Sequence, residues 1–171
     1  MGKKFEIKVL RLLFLFGIVS FLFSVRKPPV KDWLIIFLLK SYIASILDNI
    51  LVKKGYLKYP VNLFKTFDIS VLFSYLLFPV SCIYFNQATK NSSTIGILAK
   101  SILFSAPSAL AEDWIEKNTK LITYKKSWTS LHSFISISST FILVRFLMSV
   151  IRKFADRQSS NLSQSQKEIV L

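Results

Sequence analysis

The sequence predicts an all-α integral membrane bundle of about five transmembrane helices, and three observations predict it. Of the 171 residues, 52% are hydrophobic and only 19% charged, and the mean hydropathy is +0.47. A soluble domain of this size would leave many of those side chains facing water. The apolar residues also come in blocks about as long as a bilayer is thick. Finally, Lys and Arg gather in the gaps between the blocks, as loops facing anionic headgroups require. The formal charge of +14 invites a nucleic-acid reading. This distribution excludes it, because the cations form no basic face on a folded domain. The one cysteine, Cys82, lies inside an apolar run, so an internal disulfide and a Cys-based metal site are ruled out.

The blocks predict helices near 9–26, 32–52, 67–86, 94–115 and 128–151. The first rests on Leu12–Val25, only 14 residues between Arg11 and Arg26. It has the basic start of a signal peptide but no small-x-small cleavage pattern, so an uncleaved anchor is expected, lying in the interface if it does not span. Position 6 is Glu where a myristoylation signal needs Ser or Thr. The second block carries Lys40 and Asp48; the third, Ile69–Thr89, is free of charge and is expected to kink at Pro79. The fourth holds Lys100, Pro107 and Glu112, and the fifth holds His132 and Arg145. Residues 1–152 thus form the bundle, and the polar stretch 153–171 is expected to be a disordered tail. Trp33, Tyr56, Tyr59, Trp114, Tyr124 and Trp128 fall at or near block ends, where amphipathic rings suit the headgroup region.

Counting Lys and Arg sets the orientation. The amino-terminal segment and the loops 53–65 and 117–127 carry 12, against 8 in 26–31, 86–94 and the tail. A cell-membrane protein with a cytoplasmic amino terminus follows.

Small polar residues recur at helical spacing: Ser41, Ser45 and Asp48; Ser70, Ser74 and Ser81; Ser101, Ser105, Ser108 and Glu112; Thr129, Ser133, Ser136 and Thr140. Such stripes pack helices closely or line a polar path, and both readings stand. Lys40-Ser41 with Ser45 and Lys100-Ser101 with Ser105 repeat at an offset of 60, the pattern a duplicated two-helix unit leaves.

Each charge within a span costs about 2.5–3.5 kcal/mol at mid-membrane and needs an account. On this orientation Lys40, Lys100 and Arg145 lie in the outer half, from which long cations snorkel to the surface. Asp48, Asp68, Glu112 and His132 lie in the inner half. There the carboxylates either pair with Lys53, Lys54 or Lys117, or converge. A cluster of Asp48, Glu112 and His132 is the candidate centre, with Lys40 and Lys100 on its outer approach. That reading requires His132 to face the Ser133/Ser136 side of its helix, within hydrogen-bond reach of a carboxylate. One His and two carboxylates on different helices offer no ligand spacing, so no metal or cofactor is expected. No nucleophile elbow, phosphate loop or metalloprotease histidine pair occurs.

The runs RKPPVKDWLIIFLLK (26–40), VKKGYLKYP (52–60) and AEDWIEKNTKLITYKKSW (111–128), followed by Leu131-His132-Ser133-Phe134, resemble a family of small multi-pass membrane proteins. That family is found in Bacillus-type spore-forming bacteria. The resemblance covers about Arg26 to Arg152 and implies a bacterial plasma-membrane protein. The family has no assigned activity, so no catalytic residue is carried over.

Two function classes follow. One is a structural or accessory protein that packs with a membrane partner or with copies of itself. The other is a small transporter, channel or sensor using the polar stripe. The first is favoured, because five spans make a thin wall around a pathway unless the protein oligomerises. An enzyme comes third, for want of a nucleophile or metal partner.

Overall fold

Five helices run back and forth in a computed structural model that describes residues 3–64 and 66–169. Helix α1 spans Lys3–Val25 and α2 Val30–Lys53. After a two-residue strand β1, Leu57–Lys58, a π-helical turn, Phe73–Leu77, leads directly into α3, Phe78–Ala88. Helix α4 covers Thr94–Asn118, β2 is Thr123–Tyr124, and α5 runs over Ser130–Ile169.

Among the described residues, four helices are long and apolar enough to cross a membrane: α1, α2, α4 and α5. The doubtful first block is one of them, because its helix starts at Lys3, well before the apolar run. At 23 residues it is about 35 Å long, against a hydrocarbon core of about 30 Å. The third block is the short one. Pro79 lacks an N–H and its ring crowds the carbonyl four residues back, which the wider π turn just before it accommodates. At the other extreme, α5 does not stop where its apolar periodicity stops. No Gly or Pro interrupts 130–169, and helix continues to Ile169 with residues 153–161 exposed, so no break marks the boundary expected at 152/153.

The two strands pair antiparallel, Leu57 opposite Tyr124 and Lys58 opposite Thr123. This bridge, absent from the sequence reading, ties the loop after α2 to the loop after α4. Glu6, only 2% exposed, accepts the Lys120 N–H at 3.0 Å and brings the start of α1 to the same end. At the opposite end Arg152 pairs with Asp32 at 2.7 Å, and Arg145 donates to the carbonyls of Thr89 and Lys90. The three lysine-rich segments therefore share one end of the bundle. Between the ends, Trp33, Ile36, Ile83, Phe85, Phe141 and Val144 form the main core. Trp33 belongs to it instead of an interface belt: its ring is buried and its Nε1 donates to the Lys27 carbonyl at 2.6 Å.

Candidate functional site

The buried face of α2 reads Trp33, Ile36, Lys40, Ala44 and Asp48, steps of three and four residues that place two charges in line with core side chains. Lys40 consequently points into the bundle and is 2% exposed. The expected escape to the outer surface does not occur. Its Nζ donates to Thr140 Oγ1 on α5, and the ammonium lies 5.1 Å from the Phe141 ring centroid and 5.9 Å from that of Phe78. Two aromatic faces and a hydroxyl thus replace part of its hydration. Lys100 and Arg145 instead reach the end of α3 and the loop after it. Lys100 donates to the Ala88 carbonyl at 2.8 Å and to Ser92 at 2.9 Å, and Arg145 caps the end of α3 as described.

Two turns further along α2, Asp48 is held by two hydroxyls. Tyr59, just past β1, donates to Oδ1 at 2.7 Å, and Ser74, in the π turn, donates to Oδ2 at 2.6 Å. Glu112 on α4 is held in the same way. Tyr124 of β2 donates to its Oε1 at 3.1 Å and Ser133 of α5 at 2.9 Å. The Trp128 Nε1 completes the group by donating to Ser133 Oγ at 2.9 Å. Each helix–strand–helix unit therefore supplies one carboxylate, one tyrosine from its connecting loop and one serine from its second helix. Hydroxyls satisfy both acids, and of the two readings left open, pairing with Lys53, Lys54 or Lys117 is not the one found among the described residues. Burial, with Asp48 and Glu112 close by, pushes the Tyr59 hydroxyl well above the ordinary phenol range, and burial with Glu112 does the same for Tyr124. Both phenols thus stay protonated and keep donating.

Lys40, Asp48 and Glu112 line one cavity of about 50 Å³, together with Tyr59, Ser74, Ser133 and Thr140. That is room for about one or two waters. The cavity presents acceptors at one end and an ammonium at the other. Neither serine meets a histidine base, and Cys82 is fully buried in the core. Among the described residues no group of three His, Cys, Asp or Glu gathers as metal ligands would.

His132 does not join the cluster. The inward face of α5 is set by Ser133, Ile137, Thr140, Phe141 and Val144, and His132, one residue and about 100° away, lies exposed. Its Nδ1 meets Thr129 Oγ1 at 2.8 Å and its ring lies 5.4 Å from that of Trp128. Asp68 also stands apart, exposed in the loop before the π turn. What sequence reasoning missed are Tyr59 and Tyr124, read as interface rings. Their positions, 11 and 12 residues after the two carboxylates, are the signal that pairs them.

No protein-family model matches the chain, and neither a curated protein nor a solved structure matches it. What fold and site define is an all-α helical bundle with four helices apolar enough to cross a membrane and a buried polar seam between them.

Proposed function

We propose that this chain is a multi-pass protein of a bacterial cell membrane, amino terminus inside, with a structural or accessory role: it packs with a membrane partner. The sequence resemblance supports the bacterial membrane, and the gathering of the lysine-rich segments at one end supports the orientation. One observation carries the accessory role. The ionisable side chains that line the seam, Lys40, Asp48 and Glu112, are hydrogen-bonded within the bundle, and the space left among them is about 50 Å³. Such a seam holds helices in register; it is too small to be a route. The partner test is crosslinking in intact cells followed by purification. One membrane protein recovered in fixed ratio supports the role, and recovery of the chain alone overturns it. For orientation, reporter enzymes fused after residues 92 and 122 should be active on opposite sides, and activity of both on one side overturns the topology.

A second reading, a small transporter, channel or sensor, draws on the convergence of Lys40, Asp48 and Glu112 on one cavity. It requires purified protein in liposomes to pass protons or monovalent cations, and Asp48→Asn with Glu112→Gln to abolish that flux.

A further inference from the structure

Helices α1, α3 and α4 leave a cleft of about 260 Å³ between them on the flank of the bundle. Helical spacing builds its walls: Leu13, Phe16 and Ser20 line it from α1, and Ser108, Glu112 and Ile115 from α4. Tyr84 of α3 ties the floor to α1, its hydroxyl donating to the Ser20 carbonyl at 3.0 Å. A second cleft of about 380 Å³ shares Ser81, Tyr84 and Ser108 and continues along α4 past Leu103 and Pro107. The rims face outward, with Phe16 64% and Leu103 66% exposed. An apolar cavity of about 150 Å³ already holds a benzene ring, so this space accepts aromatic or branched alkyl groups.

The chemistry of the lining selects the ligand. Glu112 is the one carboxylate of the first cleft, and among the described residues no Lys or Arg lines either cleft. The same carboxylate lines the inner cavity, where Tyr124 and Ser133 both donate to Oε1. Oε2 accepts no hydrogen bond from the described residues, and Glu112 as a whole is partly exposed. Three of the four hydroxyls in the first cleft cannot serve an anion. Ser81, Tyr84 and Ser108 each spend their one proton on a carbonyl, of Leu77, Ser20 and Phe104, at 3.0–3.1 Å. They keep only lone pairs for a ligand. An anionic head would meet a carboxylate and spent donors. A cation meets a counter-charge, acceptor oxygens and the rings of Phe16, Phe73, Phe78 and Tyr84.

We propose that this cleft binds a lipophilic cation, an ammonium or phosphonium carrying aromatic or alkyl groups, with Glu112 as its counter-charge. The site goes beyond the accessory role above and does not depend on it. Tetraphenylphosphonium and tetraphenylborate, nearly alike in shape and opposite in charge, are the probes, in equilibrium dialysis against the full chain in mild detergent. With a formal charge of +14, long-range attraction favours the borate, so a preference for the cation reports the site. Tetraphenylphosphonium should bind at about one per chain and at least about tenfold more tightly than the borate. Glu112→Gln should remove that preference. Asp113→Asn, at the adjacent acid that lines neither cleft, should leave it unchanged. Ser108→Phe, which fills the cleft, should weaken the binding of the cation. A second measurement needs no variant. Dicyclohexylcarbodiimide, which attaches to carboxyls reached from an apolar phase, should label Glu112, and saturating tetraphenylphosphonium should block that labelling. Equal binding of the two ions, or a preference that survives Glu112→Gln, overturns the inference. So does Glu112 left unlabelled, or labelled as fast with the cation as without it. Absence of cation binding overturns it too, and Leu103→Cys crosslinking two copies across the rim would then make a second copy the occupant.

Discussion

Asp48 and Glu112 are held by the same kind of partners, and the cost of losing them follows from what is left behind. In Asp48→Ala the hydroxyls of Tyr59 and Ser74 lose their acceptor in a buried place, at about 1–3 kcal/mol each. Asp48→Asn keeps one carbonyl acceptor and removes the charge, so it should cost clearly less. Thermal unfolding in detergent should rank them unaltered chain, Asn, Ala. An Asn variant as unstable as the Ala variant would mean that the charge, not the hydrogen bonding, holds the seam. Lys40→Met should behave differently. Thr140 still donates to the Ile137 carbonyl at 2.9 Å, and the apolar replacement takes no charge out of water, so stability should hold or rise. His132→Ala touches nothing inside the bundle and should shift stability by no more than about 0.5 kcal/mol.

Among the elements, the π turn Phe73–Leu77 does the most to shape the site. It admits Pro79 into a continuous helix and it turns Ser74 onto Asp48 while Cys82, Ile83, Phe85 and Asn86 face the core. Removing one residue from that turn restores α-helical spacing and rotates everything after it by about 100°. Tyr75, 42% exposed, is the residue to delete. Cys82 is the sole cysteine and has no exposure in the fold, so it reports the rotation directly. The unaltered chain should resist maleimide in mild detergent, and the Tyr75 deletion should label readily. Equal labelling of both would mean that the turn does not set the facing of α3.

At the scale of the whole molecule, the β1–β2 bridge and the Glu6–Lys120 contact bind three chain-distant segments into one basic end. Paired antiparallel residues have Cα atoms about 4.5–5.5 Å apart, within the range a disulfide spans. In a Cys82→Ser background, Lys58→Cys with Thr123→Cys should therefore crosslink within one chain on mild oxidation. Lys58→Cys with Lys90→Cys, one at each end of the bundle, should not. Failure of the first pair, or crosslinking of the second, would contradict the arrangement of the loops.

The helices themselves were legible in the sequence, because hydrocarbon-length apolar blocks and the cations between them report a local requirement, the satisfaction of backbone polar groups in an apolar medium. Periodicity also found the inward faces of α2 and α4, and so the two carboxylates. It failed where a position depends on which face a neighbour covers. His132 and Ser133 are adjacent and both polar, and only the packing of α5 on α2 and α4 turned Ser133 inward and left His132 outside. Lys40 shares its depth with Lys100 and Arg145, yet only its own helix face, aligned with Trp33, Ile36 and Ala44, closed its way to the surface. Tyr59 and Tyr124 sit in loops whose pairing is a contact between residues more than 60 positions apart, and no local pattern encodes it. The sequence by itself determined the number of helices and where most of them start and stop, since those follow from solvent and spacing. Which polar side chains meet was decided by tertiary structure, because meeting depends on the rotation of each helix against the others.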